Sequence, residues 1–225
     1  SQLARNILRD PIRVDVSPKQ PTVKKIDQQV IMVETPDKPE VLQTLLHDEA
    51  LSRAIVFTRT KHGANKVAKK LCAAGISADA IHGNKSQSAR QRALADFKKG
   101  RTWVLVATDI AARGLDIEGV SHVINFELPH EPESYVHRIG RTGRAGASGV
   151  AWSLVDPSEV SRLRAIEKLI RLRITPFDTA LTKLNLEDRV ERKTQPAAGQ
   201  TDTRRDGGSS RKRRGRRRRN RRQAA

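Results

Sequence analysis

The chain has 225 residues, enough for one substantial core, and 36% hydrophobic against 31% charged residues dilutes that core with polar sequence. A net charge of +19 points to a polyanionic partner, and an aromatic content of 3% leaves phosphate contact, not ring stacking, as the main way to hold it. A single cysteine, Cys72, excludes an intramolecular disulfide and a Cys/His zinc site; no apolar run reaches the length of a membrane span, no signal-peptide pattern opens the chain, and a cytoplasmic setting is expected.

In chain order, residues 1–10 read as the end of a helix with Leu3, Ile7 and Leu8 on one side, stopped at Asp10-Pro11. Ile12 to Val16 alternates as a short strand would. The next six residues carry two prolines and no periodicity, so they form a linker, and the chain opens as a fragment of a longer protein would. A globular part begins near Val23. Val30 to Val33 is a strand, followed by a helix carrying Val41, Leu42, Leu45 and Leu46, then the strand Ala54 to Phe57. Lys61 to Ala74 is a helix whose stripe is Ala64, Val67, Ala68, Leu71 and Cys72, which makes the cysteine a small buried hydrophobe; Gly75 ends it.

A short strand, Ala78 to Ile81, precedes the loop at His82-Gly83. Ser88 to Lys99 is helical with Ala93, Leu94 and Phe97 inward. Trp103 to Ala107 is a continuous apolar run, as in a central parallel strand covered on both faces. His122 to Phe126 and Val150 to Val155 are the remaining strands. Asp156-Pro157-Ser158-Glu159 makes a capping box that opens a helix running to about Leu172. Strands alternating with helices at this spacing predict α/β architecture with a mostly parallel sheet and helices on both faces. Beyond about Glu191 the pattern ends, and the Arg/Lys block from Arg211 to Arg222 repels itself and is expected to stay disordered until it meets a polyanion.

Four stretches carry chemistry. His137-Arg138-Ile139-Gly140-Arg141-Thr142-Gly143-Arg144-Ala145-Gly146 packs three arginines, a histidine and three glycines into ten residues. On a helical turn Arg141 and Arg144 leave one face, and their planar forks match phosphate oxygens. Such a pair suits the charge that develops as a terminal phosphate leaves a nucleotide; a solvated basic turn is the plain alternative. In Ala54 to Lys61, a strand ends in Thr60 and Lys61 at a helix start, which gathers a hydroxyl, a cation and free N–H groups. Gln87-Ser88-Ala89-Arg90 follows His82-Gly83, and an exposed first helical turn is equally consistent with it. Ala107 to Asp116 leaves the C-terminal end of the central strand, where open parallel sheets bind ligands. There Thr108 can donate to a phosphate, Gly114 permits close approach, and Asp116 can accept from a ribose hydroxyl. Asp48-Glu49-Ala50-Leu51 follows an amphipathic helix instead of an apolar strand and is read as a helix end. No Gly-x-x-x-x-Gly-Lys-Ser/Thr phosphate loop occurs in the sequence.

The first decamer resembles motif VI of the DEAD-box RNA helicases almost letter for letter. The other three resemble motif IV, the Gln-x-x-Arg motif and motif V, in the family's order. The resemblance covers about residues 23 to 175. It implies the C-terminal RecA-like domain, a three-layer α/β fold, and the run Phe57 to Asn65 with an Arg-rich tail points to an RhlE-like bacterial subgroup. The implied organisation is residues 1–22 as the end of a missing N-terminal RecA-like domain and its linker, 23–190 as the helicase domain, and 191–225 as a disordered RNA-binding tail.

The implied activity is ATP-dependent RNA unwinding by the full-length protein. The first domain would supply the phosphate loop and hold Mg2+ with ATP, so this chain would need no metal ligand. Arg141 and Arg144 would reach the γ-phosphate, and Gly114 and Asp116 the rest of the nucleotide. RNA would be held by its backbone at Thr60, Lys61, Gly83, Gln87, Arg90 and Thr108 without sequence choice. His137 and Arg138 would hold the interdomain interface. The fragment alone would bind RNA and hydrolyse nothing. The alternative is a non-enzymatic RNA-binding scaffold that keeps the fold and works through its tail.

Overall fold

The structure is a computed structural model and describes residues 25–112, 117, 119–144 and 148–177. The readings of residues 1–22, of Gly114 and Asp116, and of the tail beyond 191 lie outside the described residues. Seven strands form one sheet: β1 (Ile26–Met32), β2 (Ala54–Phe57), β3 (Ala78–Ile81), β4 (Val104–Ala107), β5 (His122–Asn125), β6 (Gly149–Val155) and β7 (Thr175–Pro176). Every pairing is parallel, in the order β3-β4-β2-β5-β6-β1-β7. Between them run α1 (Lys38–Leu45), α2 (Lys61–Ala73), α3 (Gln87–Lys98), α4 (Asp109–Ala112), α5 (Pro132–Ile139) and α6 (Val160–Ile170).

The central strands β2, β4 and β5 are buried at every position, the expected consequence of helices on both faces. Alternate residues serve opposite layers. Ala54, Val56, Val104, Val106 and Ile124 pack with Leu42 and Leu45 of α1 and Val67 and Leu71 of α2. Ile55, Phe57, Leu105, Ala107 and Val123 pack instead with Ala93 and Phe97 of α3 and with α4. Val123 pairs in register with Ala151, so the cluster that joins Ala151 to Tyr135, Ile139 and Ile166 of α5 and α6 continues that second face.

Local signals set the ends of these elements. Gly75 and Gly100 follow α2 and α3 with φ of 80° and 73°, the left-handed position that stops a helix. The capping box is present: Asp156 accepts from the Ser158 N–H, and Glu159 returns to the Asp156 N–H. It opens a 3-10 turn, Pro157–Glu159, that leads into α6. One reading is corrected. Cys72 is exposed, because it lies at the margin of the α2 stripe where no neighbour covers it, and its thiol donates to the Ala78 carbonyl at 3.1 Å.

Connection direction creates the site. β2 sends α2 to one face of the sheet, whereas its neighbours β4 and β5 send α4 and α5 to the other. The chain therefore parts at the C-terminal ends of these three strands and leaves a crevice there.

Candidate functional site

The residue that organises the crevice is Arg138, from the last turn of α5. It is 1% exposed. Its Nε and one terminal nitrogen donate to the two carboxylate oxygens of Asp109 at 2.6 and 2.7 Å. The other terminal nitrogen donates to Asn125 Oδ1 at 3.1 Å and the Glu127 carbonyl at 2.7 Å. The Phe57 ring lies against the guanidinium, 5.0 Å from its carbon. One side chain thus ties α5 to the ends of β2, β4 and β5. A buried cation is tolerable only with such complete pairing. Around it Phe57, Asp109, Ala112, Ser134, exposed His137 and Arg141 line a small cleft.

The pair expected at an interdomain interface therefore divides. His137 is on the surface of the cleft, whereas the Arg138 guanidinium is committed to its own domain. Burial wins because Asp109, Asn125 and the Glu127 carbonyl all converge on that one position.

Arg141 and Arg144 lie past the end of α5, on a turn rather than on the helix itself. Gly143 makes the turn with φ of 66°. Thr142, 1% exposed, pins it from inside by donating to the Val120 and Ser121 carbonyls at 2.6 and 2.9 Å. Gly149 lies beneath: a Cβ there would meet Thr142 Oγ1 at 2.5 Å and the Gly143 nitrogen at 2.6 Å. Arg144 Nε donates to the Gly140 carbonyl at 2.9 Å. Burial, and then the Arg144 guanidinium beside it, pulls the pKa of Arg141 below its ordinary value, although a guanidinium stays charged in proteins. Two adjacent like charges held at a cleft favour an anionic ligand between them.

A second group lines the same edge of the sheet. Thr60 caps α2, its hydroxyl oxygen accepting from the Gly63 N–H at 2.9 Å, with Lys61 exposed after it. The neighbouring Arg59 pairs with Glu127 at 3.2 Å. Gly83 is exposed with open space where a Cβ would stand, so a ligand could reach its backbone. Gln87 opens α3 and accepts from Arg90 at 3.3 Å, so the two form one unit on one helix face. The Nε of Arg90 is buried without a partner among the described residues. Thr108 is buried where β4 passes into α4 and its carbonyl accepts from the Ala112 N–H.

His82, 3% exposed, shares a 2.9 Å hydrogen bond with Asn65 of α2. Burial first, then Lys85, Lys61 and His62, lowers its pKa. Asp48 lies beyond the end of α1 and accepts from the Ala50 N–H at 2.8 Å, so it follows a helix and not a strand. Among the described residues there is no group of three or more His, Cys, Asp or Glu side chains that could hold a metal ion.

Sequence reasoning named the outward groups and missed those that hold them. Asp109 and Thr142 stood inside quoted motifs without a stated partner. Asn65 stood at the end of the run Phe57 to Asn65 without a stated partner, and Asn125 and Glu127 were given no role, because the partners of all three are 11 or more residues away.

With this geometry in hand, the family described as "Helicase conserved C-terminal domain" matches residues 37–146. The chain is 45% identical over 185 residues to the DEAD-box ATP-dependent RNA helicase CshA of Geobacillus kaustophilus (strain HTA426), covering 80% of this chain and 40% of the relative. It therefore spans well under half the length of that protein. Among solved structures, E. coli DEAD-box protein SrmB, bound to regulator of ribonuclease activity A, matches at 37% identity and a TM-score of 0.67, covering 70% of this chain and 93% of that one. S. cerevisiae Dbp5, bound to RNA and ADP BeF3, matches at 34% identity and a TM-score of 0.71, covering 85% and 50%. These names do not carry the RhlE-like subgroup that the sequence suggested.

Proposed function

The chain belongs to the DEAD-box family, as a helicase conserved C-terminal domain of the RecA-like type, and on that premise we propose that it is the second motor domain of an ATP-dependent RNA helicase. Residues 23–190 form the motor half and residues 191–225 an accessory RNA-binding tail. A first RecA-like domain elsewhere in the full protein supplies the phosphate loop and holds Mg2+ with ATP. From this side Arg141 and Arg144 meet the γ-phosphate, where their charge is worth most as the transferred group loosens. Gly114 and Asp116 attend the rest of the nucleotide. RNA crosses Thr60, Lys61, Gly83, Gln87, Arg90 and Thr108 by its backbone, which gives affinity without sequence choice. Closure of the two domains joins the half-sites and distorts the RNA locally; hydrolysis and release reopen the cleft. His137 faces the first domain, while Arg138 holds the arginine turn in place. The setting is the cytoplasm, where ATP and RNA are both available.

The observation that carries this reading is the buried Arg138 clamp, which fixes the turn bearing Arg141 and Arg144 at the open end of the crevice. The test is RNA-stimulated ATP turnover by this chain alone and after fusion to a DEAD-box first domain. Turnover is expected only in the fusion, with Arg144→Ala reducing it by roughly 10³-fold while RNA binding stays. A folded fusion that binds RNA and ATP yet turns nothing over would favour the scaffold alternative. Turnover by the chain alone would overturn the split site.

A further inference from the structure

Helix α2 carries an outer face that the proposed RNA contacts at its N-terminus do not use. Its sequence, Lys61 to Ala73, contains four lysines and a histidine and no acidic residue. Lys61, His62, Lys66, Lys69 and Lys70 are all exposed. None of the four lysines has an ion-pair partner among the described residues, although salt bridges are formed elsewhere in the molecule. Lys66 and Lys70 stand at i, i+4 and Lys66 and Lys69 at i, i+3, so like charges sit side by side on one face, with His62 one turn before them. An ordinary solvated helix face mixes signs, which avoids that repulsion.

We propose that this face of α2 is a second RNA-phosphate track, along which a strand leaving the cleft runs down the side of the domain. The proposal rests on the RNA reading of the domain and extends it. Two observations select RNA as the occupant. The face is continuous with Thr60 and Lys61, where the helix begins at the crevice edge. Along the helix axis Lys61, Lys66 and Lys70 also follow one another at about 6–8 Å over about 13 Å, a spacing comparable with that of successive phosphates.

Lysine acetylation footprinting of the chain, with and without poly(U) RNA, reads the face directly. Protection of Lys66, Lys69 and Lys70 by several-fold, with exposed Lys99 and Lys168 unchanged, is the expected result. The triple variant Lys66→Gln, Lys69→Gln, Lys70→Gln should also flatten the slope of log affinity against log salt by about 2. The control triple Lys99→Gln, Arg164→Gln, Lys168→Gln should not. Gln keeps helix propensity and removes the repulsion, so the fold is retained. Protection of Lys61 without the outer three overturns the track but leaves the cleft reading intact. No protection at Lys61 either removes the RNA reading of the domain, and this proposal with it. Protection by poly-glutamate equal to that by RNA assigns the face to an acidic protein instead.

Discussion

At the scale of single residues, the cleft depends on side chains that touch no ligand. Arg138 donates four hydrogen bonds to three partners, and a lysine, a single point of charge, cannot reach Asp109, Asn125 and the Glu127 carbonyl together. Arg138→Lys should therefore behave as a disruptive change. Arg138→Ala, which takes the shared donor from Asp109, Asn125 and the Glu127 carbonyl at once, is expected to cost about 3 kcal/mol. Urea unfolding measures both; an unchanged midpoint for Arg138→Ala would show that the clamp adds nothing to the fold. Thr142 works the same way at smaller scale. Its hydroxyl donates to the Val120 carbonyl and shares the Ser121 carbonyl with the Val150 N–H, and a buried carbonyl left without its partner is costly.

At the scale of elements, a polar knot joins α1 to the end of β6 and the start of α6. Lys38, 1% exposed, donates to the Leu154 carbonyl at 2.9 Å, pairs with Glu159, and has Asp156 at 3.4 Å. Glu159 also accepts from the Leu128 N–H, so the loop after β5 is tied in. The Ser158 hydroxyl above all, together with Thr35, the Ser158 N–H and Lys38, holds the Asp156 carboxyl well below the usual carboxylate range, against the opposing effect of burial. A depressed folded value favours the ionised form in the native state. Its stabilisation is therefore complete above the unfolded carboxylate pKa of about 4 and is lost as pH falls through the lower folded value. Asp156→Asn should flatten the acid limb of a stability–pH curve measured by urea midpoint between about pH 5 and pH 2. An acid limb as steep as the parent's would place the titrating group elsewhere.

At the scale of the whole molecule, the parallel sheet makes the described domain a continuous unit from β3 to β7. Trp103 beside β4 and Trp152 on β6 report from two strands of the cluster beneath α1 and α2; the Trp152 ring meets His122 at a tilt and Phe177 edge-on, and its Nε1 donates to Gln29. Single-tryptophan variants reporting from these two places should give coincident urea transitions, the mark of one cooperative unit. Separate midpoints would divide the sheet into independently melting halves.

What the sequence determined by itself was whatever depends on near neighbours along the chain. The apolar run Val104–Ala107 set a central strand, Gly75 and Gly100 set helix ends, and Asp156 to Glu159 set a cap, because each signal lies within a few residues of its effect. The motif residues Arg141, Arg144, Gln87 and Arg90 were legible for the same reason. What only the tertiary structure decided was which side chains face the cleft and which are consumed in building it. Arg138 reads as an interface residue beside His137, yet the fold buries it against Asp109, 29 residues away. Cys72 reads as core and is exposed, because a helical stripe fixes direction but not the width of what covers it. Long-range pairing between strand ends is set by the order in which strands assemble, and no local pattern records that order.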